Sequence, residues 1–196
     1  MNKRKLISQK SQARKLIFIF ITLGMLVICW DYAKAVEVEI LLSSGYFQPS
    51  ETAFRDIYGG GLTYGGQLNL KLASNWRLWV SLDYFSRSGQ LTFTKEETEL
   101  TIMPLGLGAT YFQSLPPAEV YLALGMHYFK YTESNPIGVA EKGGSGMSIE
   151  PGVAIKLFRG VLLRVYLKYS YCRLQPADYR INIGGLQPGL ALGYRF

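Results

Sequence analysis

The chain has 196 residues, the length of a single domain of ordinary size. Only 18% of them are charged while 14% are aromatic, and the formal net charge is +7. A charge of that size invites a nucleic-acid partner, but its distribution along the chain excludes one.

The first segment, MNKRKLISQKSQARK, carries six basic residues and no acidic one. Leu16 to Trp30 is then 15 uncharged and mostly apolar residues, and Ala33 and Ala35 follow at the spacing of an A-x-A cleavage site. A basic start, an apolar middle and a small-residue exit predict a signal peptide over 1–35, cleaved after Ala35. A retained membrane helix is the alternative, but fifteen residues fall short of the roughly 20 needed to span a bilayer. A lipoprotein signal ending at Cys29 is disfavoured by the bulky Ile28 before it. With 1–35 gone, seven of the 21 basic and one of the 14 acidic residues leave, so 14 and 13 remain, a net +1. The basic character belongs to the export segment, and no nucleic-acid reading survives. Of the two cysteines only Cys172 is left, which rules out an internal disulfide and marks a small buried apolar residue.

From position 36 onward the dominant signal is a period of two. Val38, Ile40 and Leu42 alternate with Glu37, Glu39 and Leu41. Leu62, Tyr64, Leu68, Leu70 and Leu72 alternate with Thr63, Gly65, Gln67, Asn69 and Lys71. Trp76, Leu78, Val80, Leu82 and Tyr84 oppose Arg77, Trp79, Ser81, Asp83 and Phe85. Met103 to Tyr111 and Val120 to Tyr128 repeat the pattern, with Gly106, Gly108, Gly125 and His127 on the second face. Met147, Ile149, Val153, Ile155 and Leu157 oppose Ser148, Glu150, Gly152, Lys156 and Phe158. Val161, Leu163, Val165, Leu167, Tyr169 and Tyr171 oppose Leu162, Arg164, Tyr166, Lys168, Ser170 and Cys172. The closing stretch, GGLQPGLALGYRF, puts Leu186, Leu190, Leu192, Tyr194 and Phe196 on one face. That makes eight segments of about 9–13 residues, the length of a tilted strand crossing a bilayer.

The second face decides the environment. It is rich in Gly, Ala, Ser and Thr, where a soluble sheet would show Lys, Glu and Thr to water. Glycine weakens a strand, so its abundance points to a crowded space such as the inside of a narrow eight-stranded barrel. The apolar face is then outside, with rings near strand ends as interfacial girdles. The predicted fold is all-β: an eight-stranded antiparallel up-and-down transmembrane β-barrel over 36–196. A lipocalin-like soluble barrel is the competing arrangement. Connections alternate long and short, the short ones being Ala73–Asn75, Ser114–Ala118 and Arg159–Gly160. Short periplasmic turns and longer outer loops follow, with both ends of the domain in the periplasm.

Parity also turns ten charges inward, and isolated charges there are costly, so they are expected to pair. Counting across the Arg159–Gly160 turn sets Glu150 almost opposite Lys168 or its neighbour Ser170. Barrel closure brings Glu39 near Arg195, with Lys71 on the adjacent strand. These pairs predict a salt-bridged plug in preference to an ion path. Lys130 and Arg173, of outward parity at upper strand ends, are placed to meet lipopolysaccharide phosphates.

The alternation and the GGLxxGLxLGYRF ending resemble the small outer-membrane β-barrel family that includes the OmpA transmembrane domain, OmpX and the opacity proteins. The resemblance covers roughly Val36 to Phe196. It implies that Leu190, Leu192, Tyr194 and Phe196 form the signal read by the barrel-assembly machinery. It also implies residence in the outer membrane, amid lipid and lipopolysaccharide. With nothing after Phe196, no peptidoglycan-binding domain is expected. Some small barrels modify lipid A, but the single histidine here, His127, points inward within MHYFKY, and the His-x-Ser-Asn type motif of the deacylases is missing. No catalytic, metal or cofactor site is expected, and the loop charges Glu51, Asp56 and Lys95 to Glu97 are read as solvated. The expected function is non-enzymatic: envelope structure, or ligand binding through outer loops such as LTFTKEET and YTESNPIG, which identify no ligand. A lipid A-modifying enzyme and a narrow channel are the alternatives.

Overall fold

A computed structural model describes residues 37–90, 97–136, 138–174 and 181–196. The expected signal peptide and most of the charged segment before Glu97 lie outside the described residues. The elements are β1 (Val38–Pro49), α1 (Thr52–Tyr58), β2 (Gly61–Lys71), β3 (Trp76–Gln90), β4 (Glu97–Leu115) and β5 (Ala118–Asn135). They continue with β6 (Gly138–Phe158), β7 (Val161–Leu174), the two-residue β8 (Ile181–Asn182) and β9 (Gly185–Arg195). Each long strand pairs antiparallel with the next, β9 pairs with β7, and β9 returns to β1 from Glu39↔Arg195 to Pro49↔Gly185. β8 makes only two pairs with β7. The eight long strands therefore close into an up-and-down barrel, which leaves no open sheet edge at membrane depth. Among the described residues no helix is long and apolar enough to cross a membrane; strands make the crossing.

The period of two becomes inside and outside. Leu42 is 72% exposed and Leu107 64%, whereas Glu39 is 0% and Arg164 2%. An exterior of leucine, valine and tyrosine over a polar interior inverts the soluble pattern, and rules out the lipocalin-like arrangement. Rings cluster at the rim formed by the short turns: Trp76 lies 5.2 Å from Tyr111, and Tyr194 lies 4.7 Å from Phe196. Tyr64 pairs with Tyr84 toward the opposite end. Small residues fit the large ones inside. Gly108 and Gly125 lie against the Trp79 ring, and Gly106 against the His127 imidazole, where a Cβ would collide.

Four features differ from the expectations. The strands are longer, reaching 19 residues in β4 and 21 in β6. β5 and β6 stay paired out to Asn135↔Gly138, so the stretch read as a long outer loop is mostly ladder. The segment FQPSETAFRDIYGG contains α1, seven residues whose Phe54 and Tyr58 are buried. Two anchors are too few to show a helical period in sequence. Finally, the register shifts between Lys156 and Phe158, so Phe158, assigned inward by alternation, is 67% exposed. A bulge adds one residue and reverses the parity beyond it.

Candidate functional site

The interior is built in three layers. The layer nearest the short turns centres on Glu39, fully buried at the start of β1. Arg195 of β9 donates to it from Nε at 2.6 Å, and Arg164 of β7 donates from Nη2. Arg77 of β3 places Nε 3.4 Å away. The planes of Arg77 and Arg164 also meet the Phe112 ring, at 4.0 and 5.1 Å. Burying three guanidiniums is tolerable because Glu39 is shared, Glu37 and Glu119 give Arg77 and Arg195 further carboxylates, and aromatic faces meet Arg77 and Arg164. Around this core, Glu37 accepts from Lys71 at 2.8 Å and from Arg77 at 3.1 Å. Glu119 accepts from Arg195 at 2.9 Å and faces Lys156 at 3.1 Å. Glu37 lies just ahead of β1, at the rim. Burial pushes its carboxyl up, but the Lys71 and Arg77 hydrogen bonds and the Arg195 charge outweigh that and hold it below its ordinary 4.5.

The middle layer holds Lys168, whose Nζ lies 2.8 Å from Asp83 and 3.9 Å from Glu150. Tyr121 donates to Glu150 at 3.0 Å. His127 Nε2 and Ser148 Oγ are hydrogen-bonded at 2.7 Å. Two internal cavities flank the lysine, of about 30 and 20 Å³. Each is the size of one or two waters.

The outer layer is apolar. Phe47, Phe85, Leu100, Ile102, Phe129 and Leu174 fill it, and α1 lays Phe54 and Tyr58 across the top. Tyr58 Oη donates to Glu133 at 2.7 Å, tying the helix to β5.

Of the residues singled out in sequence, Glu39 and Arg195 meet directly. Lys71 is on the neighbouring strand β2 but engages Glu37, two residues before Glu39. Glu150 and Lys168 are side by side, yet Asp83 is nearer to the lysine; it reaches across the lumen from β3, which turn-counting along neighbouring strands does not register. Lys156, assigned inward, sits exposed at the rim. Glu119 was missed because alternation was counted from Val120; its parity with Tyr121 and Ala123 is the signal that finds it. Leu190, Leu192, Tyr194 and Phe196 all lie exposed on the outer surface. Lys130 and Arg173 are exposed toward the long-loop end, Lys130 at 3.8 Å from Glu141. Among the described residues no group of three His, Cys, Asp or Glu side chains is arranged for a metal.

Charge is unevenly shared between the two ends. At the short-turn end Lys71, Arg77, Lys156, Arg159, Arg164 and Arg195 face Glu37, Glu39 and Glu119. At the long-loop end the described side chains are Arg55, Arg87, Lys130, Lys142 and Arg173 against Glu51, Asp56, Glu97, Glu99, Glu133 and Glu141. The first end is positive by three charges and the second negative by one.

A closed eight-stranded barrel with an apolar belt outside and a packed polar interior defines the class: a transmembrane β-barrel with the fold of small outer-membrane proteins. Solved structures of that class are similar to it over 82% of this chain. Neisserial surface protein A has 13% identity, 97% of its own chain covered and a TM-score of 0.62. Ail of Yersinia pestis, in complex with the heparin analogue sucrose octasulfate, has 14%, 99% and 0.56. The N-terminal β-barrel domain of Pseudomonas aeruginosa OprF has 19%, 97% and 0.54. At such identities the likeness is one of fold. No family model and no curated protein matches the sequence.

Proposed function

We propose that this chain is a non-enzymatic barrel of the outer membrane that acts through its exterior and its outward strand extensions, not through its lumen. The observation that carries this is the packing of the lumen: among the described residues, ionic, mixed and apolar layers lie in series, with water-sized cavities beside the middle one. A channel needs a continuous polar path, and a hydrolase needs its histidine open to substrate. His127 is buried between Trp79 and Phe129. What remains accessible is the β5–β6 hairpin and its neighbours, envelope-facing surface suited to structure or to ligand binding. Ail's sulfated ligand is not carried over, because the long-loop end here is slightly acidic. Planar-bilayer recordings should show no steady conductance, and labelled lipid A should be recovered intact after incubation with the barrel. A stable open level or released acyl chains would overturn the reading.

Export through residues 1–35 and recognition of Leu190, Leu192, Tyr194 and Phe196 by the assembly machinery belong to the same proposal. They rest on the sequence pattern and on the exposed apolar face of β9. Deleting Phe196 should reduce insertion in cells several-fold while leaving refolding into detergent nearly unchanged. Equal insertion of the shortened chain would remove the assembly role.

A further inference from the structure

The β6–β7 turn contains a second feature that the plugged lumen does not explain. The bulge before the turn turns Leu157 and Phe158 outward together. Arg159 then adopts a positive φ of 38° and Gly160 one of 85°, and the Gly160 carbonyl accepts the Arg195 amide at 2.8 Å. The turn is thus pinned over the end of β9. A pocket of about 400 Å³ opens there, lined by Lys156, Arg159 and Arg195, by the apolar Leu157, Phe158, Val161 and Leu162, and by Glu37, whose carboxylate is already held by Lys71, Arg77 and Arg195. That is the scale of a small-molecule site, and far larger than either internal cavity. Arg195 is held by Glu37, Glu39 and Glu119, and Lys156 by Glu119. Arg159 makes no ion pair among the described residues. The pocket therefore holds an uncommitted guanidinium, one of the six cations that give this end its excess of three positive side chains.

We infer that this pocket binds the phosphodiester headgroup of an anionic glycerophospholipid in the inner, periplasm-facing leaflet. The inference rests on the outer-membrane orientation proposed above. A soluble anion would be served by the cations alone. The apolar wall beside them, level with the Tyr194–Phe196 rings, suits a ligand that continues into acyl chain. Long basic side chains at a membrane interface attract anionic lipid, by about fivefold in occupancy per cation.

The test uses the purified barrel in micelles holding equal phosphatidylglycerol and phosphatidylethanolamine of the same chains, with retained lipids counted by native mass spectrometry. The wild-type barrel should retain phosphatidylglycerol preferentially. Arg159→Gln should lower the preference by about fivefold, and adding Lys156→Gln should lower it about fivefold again. Lys130→Gln, at the opposite end, should leave it unchanged. Excess glycerol phosphate should not displace the lipid. An unchanged ratio in Arg159→Gln overturns the inference, as does displacement by glycerol phosphate at equal concentration, which would mark a free-anion site. If the double variant fails to fold, Arg159→Gln decides alone, since it removes no carboxylate's partner. Fractionation of cells tests the membrane assignment separately: a barrel found outside the outer membrane refutes the proposed function while the lipid ratio still reports on the pocket.

Discussion

The two halves of the lumen exclude water by opposite means. Near the short turns, Glu39 gathers Arg77, Arg164 and Arg195, so each strand's contribution is specified by charge as well as shape. Near the long loops, Phe47, Phe85, Leu100 and Phe129 pack without ionic partners, and α1 closes the top. The ionic half draws its residues from the barrel wall alone. The apolar half needs a segment from outside the wall to finish it. An ionic plug fails steeply when one member is lost, because the remaining charges stay buried. An apolar plug fails in proportion to the volume removed.

Breaking the ionic half should have the largest effect. Glu39→Ala leaves the buried Arg164 with no carboxylate and Arg77 and Arg195 with only the rim carboxylates Glu37 and Glu119, and should destabilise by about 3–5 kcal/mol, read from urea unfolding in lipid vesicles. A loss below that of an apolar truncation would contradict the contrast between the halves. Leu100→Ala, in the outer layer, should lose about 2–4 kcal/mol through the cavity it leaves. Its conductance should stay at zero, because the ionic layer still seals the barrel.

The middle layer sharpens the comparison. Asp83→Ala removes the closer partner of Lys168, and Glu150→Ala only the one at 3.9 Å. Asp83→Ala should therefore cost more, with Glu150→Ala at about 1–3 kcal/mol for the stranded Tyr121 hydroxyl and the weakened pair. A double-mutant cycle should give stronger coupling for Asp83–Lys168 than for Glu150–Lys168, and the reverse order would refute this assignment. The smallest effect belongs to the rim. Glu37 has a lowered folded carboxyl value, so its stabilisation is complete above about 4.5 and is lost as the pH falls through the folded value. Glu37→Gln should be slightly less stable than the parent at pH 7, and the difference should vanish in acid. A gap that persists at low pH would mean the side chain acts by packing, not by charge.

Much of this architecture was legible in the alternating residues. A strand's side chains have only two directions, so an apolar–small alternation repeated eight times determines strand number, which face meets lipid and which charges turn inward. Glu39 with Arg195 followed from the same parity, because β1 and β9 must pair if the barrel closes. Parity says which way a side chain points, not how far it reaches. Asp83 takes Lys168 from a strand that is not its neighbour, and only the barrel's curvature brings them within 2.8 Å. The bulge at Lys156–Phe158 was equally silent, since a single extra residue leaves the local composition unchanged while reversing the facing at the end of β6. So was α1, held by Phe54 and Tyr58 against an apolar layer assembled from distant strands. By itself the sequence determined the wall, because alternation is a local property of the chain. The pairing across the lumen, the plug at its outer end and the cationic pocket beside the β6–β7 turn were decided by tertiary structure, because each depends on residues that meet only once the barrel is closed.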